Sequence, residues 1–288
     1  MSDASEPLRV VTADNPSPLT GPGTNSFLIG RGSVAVIDPG PDLPGHRAAL
    51  IKAAHPGRIT HIFVTHAHRD HSEGARALAD ATGAQVYGFG PATAGRSPLM
   101  QRLAAEGGLD GGEGLDHDFR PDMRLLDRQT IETDEWSLTA LHTPGHFAGH
   151  LSFQMGTQIF CGDVVMGWSS TLISPPDGDL FDYFRSLERL ELAGAHRLLP
   201  AHGDPITDPA ARLAELGTHR RARTAQILAA LRDGPATAMD LVRRIYDIPQ
   251  HLHHAASRNV LAHLIALAEI GAIEVPDGLN AGAVFKGL

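Results

Sequence analysis

Four potential metal ligands stand within six residues of one another, in the segment His66-Ala67-His68-Arg69-Asp70-His71. The segment directly follows an apolar run, 62–64, that is typical of a strand. Side chains two residues apart on a strand share a face, so His66 and His68 leave its end in the same direction. Asp70 and His71 lie a turn further on, where they can reach a second ion. Because imidazole nitrogens and carboxylate oxygens bind zinc and similar divalent cations, the segment predicts a metal site.

The composition indicates a globular enzyme and excludes several other classes of protein. The chain has 288 residues, 42% of them hydrophobic, which is enough for a main domain and a small second one. Cys161 is the single cysteine, which excludes a disulfide framework and a Cys-rich zinc site. We expect a cytoplasmic protein that does not enter the membrane, because no apolar run has signal-peptide or membrane-spanning length. The net charge of -9 argues against a broadly basic surface for nucleic acid.

Short apolar runs alternate with helix-like stretches through the first two-thirds of the chain. They predict strands at 27–29, 34–37, 85–87, 137–141, 151–154, 158–161 and 197–199, and helices at 46–54 and 72–81. Strand pairs with helices inserted between them indicate a layered α/β domain. The segment from about 90 to 121 is rich in glycine and charge and lacks clear periodicity. We interpret it either as a lid over the site or as a mobile loop.

The pattern changes at Asp208. Asp208-Pro209 is a good helix start, and the segment from Thr237 to Asp240 resembles a capping box that opens a second helix. A third helix is predicted at 255–270, followed by a small hairpin of 273–275 with 283–285. Three helices and a terminal hairpin describe a winged-helix module. The sequence therefore predicts two domains, a metal-binding domain at 1–208 and a winged-helix domain at 209–288.

Three further candidate ligands each follow a predicted strand, and each stands beside a glycine. They are His146, Asp163 and His202. Glycine lets the backbone turn sharply and bring the neighbouring side chain close. A single His or Asp in a turn is more often structural, but three repetitions of strand, turn and ligand favour one shared site.

The order of these residues resembles the metallo-β-lactamase superfamily, over residues 24–207. That resemblance implies an αββα sandwich with the metal ions at one edge of its two sheets. It assigns the first ion to His66, His68 and His146, the second ion to Asp70, His71 and His202, and a bridging position to Asp163. The best-known zinc β-lactamases carry a cysteine in the second site. That pattern is absent here, since Cys161 lies two residues before Asp163, so the likeness is to binuclear hydrolases rather than to antibiotic-degrading enzymes.

Three other segments, 15–18, 23–27 and 182–187, resemble a subgroup of this superfamily that is similar to human β-lactamase-like protein 2. Members of that subgroup carry a C-terminal winged-helix domain, as predicted here. The human protein is a zinc-dependent endoribonuclease that acts on single-stranded RNA. The resemblance therefore implies a phosphodiester substrate.

The predicted chemistry needs no serine or cysteine nucleophile. Two divalent cations, zinc with manganese or iron as alternatives, share a bridging water and lower its pKa, and the resulting hydroxide attacks a carbonyl carbon or a phosphorus. Asp70 is the candidate catalytic residue, because its carboxylate can orient that water or pass on its proton. Cys161 is expected to pack in the core. His150 is interpreted as structural rather than as a substrate contact, and His251, His253 and His254 as an exposed turn.

Three functions stay open. A phosphodiesterase acting on single-stranded RNA requires a basic track beside the metals. An ester, thioester or lactone hydrolase similar to hydroxyacylglutathione hydrolases requires a pocket for a small acyl group. The residues that could line such a pocket, or could equally pack against strands, are Trp168, Phe181, Tyr183 and Phe184. The third function is a non-enzymatic regulator that binds nucleic acid, and the complete ligand set counts against it.

The charge of the predicted winged-helix domain bears on its partners. From Pro205 onward, nine basic residues face eight acidic ones. That near balance disfavours binding of duplex DNA. We expect this domain to form a homodimer surface or one wall of the active site instead.

Overall fold

The computed structural model describes residues 8–106, 109 and 114–288. Among these residues, two large sheets form the centre of the fold. The first sheet has six strands in spatial order from β1 to β6: Arg9–Thr12, Asn25–Ile29, Ser33–Ile37, Arg58–Phe63, Gln85–Gly88 and Met123–Arg124. The second has five strands, β7 to β11, which in chain order are Thr130–Glu132, Ser137–His142, Leu151–Met155, Gln158–Gly162 and Arg197–Pro200. Their spatial order in the sheet is β11-β10-β9-β8-β7.

Helices cover the outer face of each sheet. The helices of the first 200 residues are Pro44–Ala54 (α1), Arg69–Ser72 (α2), Gly74–Thr82 (α3), Pro98–Ala105 (α4) and Leu180–Leu192 (α5). Leu50 of α1 and Leu78 of α3 are buried against the first sheet, and Leu187 and Leu190 of α5 against the second. Phenylalanines from both sheets, among them Phe63 and Phe153 at 5.4 Å between ring centroids, fill the space between them. The predicted αββα sandwich is confirmed.

Several strands end at the same edge of the sandwich. β3 and β4 are parallel, as are β10 and β11, and β8 runs in the direction of β10 because both are antiparallel to β9. The two sheets are also joined at this edge, where Asn25 N donates to Ala201 O at 2.7 Å. Residues that follow these strands are therefore gathered at one place.

The C-terminal part contains three helices, Pro209–Arg232 (α6), Ala238–Ile245 (α7) and His253–Glu269 (α8), with a 3-10 turn at Gln250–Leu252. A short hairpin pairs Ile273–Glu274 (β12) with Lys286–Gly287 (β13). The predicted winged helix is confirmed, but the predicted second strand at 283–285 is wrong. Phe285 is fully buried and pairs its backbone with Ala236 instead, so the hairpin partner begins at Lys286, directly after the predicted strand.

The two parts of the chain share apolar packing. Leu213 and Leu216 of α6 pack in the same cluster as Leu187 and Leu190 of α5. Because the first turns of α6 belong to the core of the sandwich, the boundary between 208 and 209 stays a prediction. No helix within residues 8–106, 109 and 114–288 is long and apolar enough to cross a bilayer.

The segment at 90–121 is more regular than the sequence indicates. Residues 98–105 form α4, whose first turn is capped by the Ser97 hydroxyl, which accepts from Met100 N at 3.3 Å. Met100 and Leu103 pack with Ile227 of α6 in the C-terminal core. The expectation of an irregular segment is therefore wrong for α4, which packs against the winged-helix domain, and the interpretation as a lid or mobile loop stays a prediction. Residues 107–108 and 110–113 of this segment lie outside the described residues.

Two helix caps that the sequence predicts are formed, and one gives a stability test. The Thr237 hydroxyl accepts from Asp240 N at 3.2 Å, and the Asp240 carboxylate accepts from Thr237 N at 3.2 Å. Thr237→Ala removes this box, so we expect it to lower the free energy of unfolding in urea by about 0.5–2 kcal/mol. Thr237→Ser keeps the hydroxyl and should retain most of that stability. Thr218→Ala, at an exposed position within α6, is the control; an equal loss there would contradict the capping role.

Candidate metal centre

All seven predicted ligand residues lie at the edge where the strands end. His66 and His68 follow β4, and α2 places Asp70 and His71 one turn later. The other three follow β8, β10 and β11 and are His146, Asp163 and His202. Every one of them except His68 and Asp70 is buried. The fold therefore brings the whole set together, and its role as a ligand set stays a prediction.

Three imidazoles form the first group of converging nitrogens. His68 Nδ1 lies 2.9 Å from His66 Nε2 and 3.2 Å from His146 Nε2. Two nitrogens bound to one tetrahedral zinc at about 2.0–2.1 Å lie about 3.3 Å apart. The spacing of the three nitrogens is therefore close to that of three ligands around a single cation.

A second group consists of two imidazoles and a carboxylate. Asp70 Oδ2 lies 3.4 Å from His71 Nε2 and 3.3 Å from His202 Nε2. Asp163 stands between the groups: its Oδ1 is 3.6 Å from His71 Nε2 and 3.4 Å from His202 Nε2, and its Oδ2 is 3.8 Å from His146 Nε2. The two oxygens of one carboxylate thus face different groups, as a bridging ligand requires.

Buried polar atoms at the centre of this cluster lack hydrogen bonds of acceptable geometry within the described part of the chain. They are His71 Nε2, His202 Nε2 and Asp163 Oδ1. Buried polar atoms are nearly always paired, since an unpaired one costs about 1–3 kcal/mol. Cations coordinated by these atoms would satisfy them, and nitrogen and carboxylate donors without a thiolate suit zinc, manganese or iron. The residues present therefore fit a metal centre.

The charges of the cluster also fit cation binding. Burial, reinforced by neighbouring imidazoles, holds the pKa of His66 well below its ordinary value and lowers the pKa of His68 to about 3, so both rings are neutral. Burial acts in the same direction on His202, but the carboxylates of Asp163 and Asp70 together outweigh it and raise the pKa of His202 to about 10. In the second group, protons on the imidazoles balance the negative charge of the carboxylates. Bound cations can take the place of those protons.

Comparison with known proteins agrees with this arrangement. Residues 19–202 match a model of the metallo-beta-lactamase superfamily. The chain belongs to that superfamily. Residues 237–278 match a model of the beta-lactamase associated winged helix domain. The superfamily signature thus spans the whole metal cluster, and the associated domain follows it as the fold shows.

Relatives within the superfamily cover most of the chain. A beta-lactamase-like protein 2 homolog of Drosophila melanogaster is 31% identical over 275 residues, which are 91% of this chain and 87% of the relative. An atrochrysone carboxyl ACP thioesterase of Aspergillus chevalieri is 30% identical over 82% of this chain and 72% of its own. The crystal structure of a metallo-beta-lactamase family protein from Thermus thermophilus superposes with a TM-score of 0.78 at 26% identity, over 98% of each chain. The chain is a metallo-β-lactamase-fold hydrolase.

Asp38 binds one of the predicted ligands, although it was not singled out from the sequence. Its Oδ2 accepts from His71 Nδ1 at 2.9 Å and from the Thr65 hydroxyl at 2.8 Å, and its Oδ1 accepts from Thr65 N at 2.7 Å. The contact holds the His71 ring so that Nε2 faces the cluster. The sequence did contain a signal for Asp38, because this residue follows β3 and precedes Pro39-Gly40 in the same strand-turn pattern as the ligands.

Two other buried imidazoles of the cluster are oriented by backbone carbonyls. His146 Nδ1 donates to Leu172 O at 2.6 Å, and His202 Nδ1 donates to Gly23 O at 3.2 Å. A proton fixed on Nδ1 leaves the lone pair on Nε2, which faces the cluster. Carbonyl partners carry no signal in the residue type, so the sequence could not indicate them.

His150 supports the position of Asp163. The ring is fully buried, its Nδ1 lies 3.0 Å from the Thr143 hydroxyl, and its Nε2 accepts from Asp163 N at 3.2 Å. Gly162 has a φ of +49°, and a Cβ there would lie 2.5 Å from His150 Nε2. Glycine is thus required for this contact, and His150 has the structural position that was predicted for it.

Of the four aromatic residues considered for an acyl pocket, Trp168 lies beside the cluster. Its ring centroid is 6.5 Å from that of His202, and the side chain is 45% exposed. Tyr183 is fully buried, and Phe181 and Phe184 pack in the same cluster between α5 and α6. These three residues therefore pack in the core instead of lining a pocket for an acyl group. Cys161 is buried in that cluster as well. His251 and His254 are exposed as expected, but His253 is only partly exposed, and His253 and His254 begin α8 rather than lying in a turn.

Proposed function

We propose that the chain uses two divalent cations to hydrolyse an ester-type bond. The observation that carries the proposal is a pair of converging ligand groups, which are joined by the Asp163 carboxylate together with His66 and His71. When bound, the cations supply Lewis acidity and lower the pKa of a water molecule. Zinc fits the ligand set best, with manganese and iron as alternatives.

Asp70 is proposed as the catalytic residue. Its side chain is 28% exposed, whereas those of His71 and His202 are fully buried beside it. It is therefore the carboxylate of the second group that faces the opening. From there Asp70 can orient the attacking water and accept its proton, while the buried imidazoles hold the position of the site.

An acyl ester or thioester is the substrate class that the surroundings of the site support best. A cleft of about 780 Å³, within the usual range of ligand pockets, is lined by Trp168 and by Gly203, the neighbour of His202, though by none of the seven candidate ligands. Its described walls carry the acidic residues Asp204, Asp208 and Glu215 and the cation Arg212, which already pairs with Glu215 at 2.7 Å. Such a wall repels a phosphate backbone. The thioesterase relative of Aspergillus chevalieri supports the same class.

Single-stranded RNA is the second candidate. It is supported by the resemblance to the β-lactamase-like protein 2 subgroup and by the Drosophila relative, which matches nearly the whole chain. The exposed ring of Trp168 could stack on an unpaired base. Arg69, exposed next to Asp70, could contact a phosphate.

A regulator that binds duplex DNA has less support. In helix-turn-helix proteins the second helix of the pair enters the major groove. Here that helix is α8, whose Ala262 and Ala266 pack in the cluster formed with α5. We therefore propose a substrate-processing enzyme without a DNA partner. A cytoplasmic location and a homodimer stay predictions.

Turnover assays separate these candidates. We expect the purified protein, loaded with zinc or manganese, to hydrolyse a thioester or a lactone, to lose that activity in a chelator and to regain it when the metal is returned. His68→Ala should abolish it. Cleavage of single-stranded RNA with no turnover of the esters would favour the second candidate. Activity that persists after complete removal of metal would contradict the proposal.

A further inference from the structure

The loop between β10 and α5 holds the metal-facing imidazole of His146 from outside. Within this loop Leu172 O accepts from His146 Nδ1 at 2.6 Å, and the Thr171 hydroxyl lies 3.1 Å from the same nitrogen. The loop has no helix or strand of its own between residues 166 and 179. Its position must therefore be set by contacts with other parts of the protein.

Several of those contacts come from the winged-helix domain, whereas Arg96 holds Asp177 near the far end of the loop. Arg220 of α6 donates to Thr171 O and, at 3.1 Å, to Asn259 Oδ1 of α8. The same Asn259 Oδ1 accepts from Ile173 N at 2.9 Å. The two side chains thus bind the peptide groups on either side of Leu172, whose carbonyl orients His146.

Two more arginines extend these contacts along the loop. Arg212 of α6 donates to Met166 O at 2.9 Å and to Ser169 O at 2.6 Å. Arg258 of α8 donates to the Ser174 hydroxyl at 2.8 Å and to Pro175 O at 2.7 Å. Polar side chains of α6 and α8 therefore bind the loop from Met166 to Pro175.

Arg220 is unusual because its charge is buried without an acidic partner among the described residues. It is 2% exposed, and its guanidinium lies 5.4 Å from the centroid of the Tyr183 ring. A buried charge without a counter-charge is costly, and a carbonyl, an amide oxygen and an aromatic face only partly compensate for it. This cost is consistent with a specific role for the guanidinium.

We propose that the winged-helix domain positions the metal ligand His146, with Arg220 and Asn259 as positioning residues that fix the backbone of residues 171–173. The inference rests on the proposed metal centre. The domain then acts on the reaction within its own chain rather than through a nucleic-acid partner. Loss of either side chain should lower the metal affinity of the group of His66, His68 and His146 more than that of the group around Asp70.

Metal affinity tests this role without any substrate. We expect Arg220→Met and Asn259→Ala to lower the affinity for one of two zinc ions by about 10-fold, measured by competition with a chelator, since partners behind metal ligands have effects of this size. The visible spectrum of the cobalt-loaded protein should change as well. Arg220→Lys should restore part of the affinity, because its ammonium can still donate to one oxygen. Arg221→Met is the matched control, since Arg221 lies on the same helix, is exposed and contacts the Phe184 ring.

The outcomes separate the two proposals. Thermal unfolding first establishes that each variant is folded, and Asn259→Ala remains as a second probe should Arg220→Met fail to fold. Folded Asn259→Ala protein that binds both ions with wild-type affinity and an unchanged cobalt spectrum would overturn the positioning role. A wild-type protein that binds two ions but hydrolyses nothing would contradict the proposed function, while an affinity loss in the variants would still support the positioning role.

Discussion

Asp70→Asn is expected to lower kcat by about 10²–10⁴-fold, the usual contribution of a positioned general base. The substitution keeps the shape of the side chain and one acceptor oxygen, but it removes the negative charge that lies 3.4 Å from His71 Nε2 and 3.3 Å from His202 Nε2. An amide cannot accept a proton from water, and it is a weaker ligand than a carboxylate. We therefore expect the loss mainly in kcat, measured at saturating metal with KM and metal content determined in parallel.

The matched control is Asp80→Asn. Asp80 is an exposed carboxylate on α3 of the same domain. It should retain wild-type kcat, because it lies outside the cluster. If Asp70→Asn kept full kcat with its metal bound, Asp70 would not be the catalytic carboxylate and the proton would have to go elsewhere.

The layered fold and the seven residues that converge at its edge could be predicted because both depend on local patterns. The apolar runs of β2 and β3 mark buried strands, and the ligands follow strands in short turns or in the first helical turn after one. Shorter elements at the margins were missed. β6 consists of two exposed residues, Met123 and Arg124, and carries no apolar pattern that could indicate a strand. The hairpin register was missed because the burial of Phe285 depends on the packing of the whole C-terminal domain.

The contacts around the ligands could be predicted only in part. Asp38 is 33 residues from His71 in the chain, although its strand-turn context resembles that of the ligands. Leu172 acts through its carbonyl, so its residue type gives no signal. The charge balance of the C-terminal domain disfavoured a basic surface, but it could not show that Arg220 points into the protein. Tertiary contacts of this kind require the folded structure.

Asp38→Asn is expected to weaken the binding of one cation by about 10–100-fold, through its contact with His71. The Asp38 carboxylate accepts from three donors, Thr65 N, the Thr65 hydroxyl and His71 Nδ1. An amide offers one acceptor oxygen and turns its NH₂ toward at least one of these donors. A buried donor then loses its partner, which we expect to lower the free energy of unfolding by about 1–3 kcal/mol. Backbone strain does not contribute, because the φ of +53° at this position suits Asn as well as Asp.

The effect of replacing Asp38 can be told from that of replacing Arg220, because the two are expected to weaken the binding of different zinc ions. Asp38 holds His71, which belongs to the group of Asp70 and His202, whereas Arg220 acts on His146 in the other group. Competition with a chelator should therefore show that Asp38→Asn and Arg220→Met each weaken a different zinc ion, and the double variant should weaken both. Asp42→Asn, at an exposed carboxylate paired with Arg47, should change neither affinity. If both single variants weakened the same ion, the seven residues would form one site rather than two, and the division into groups would be wrong.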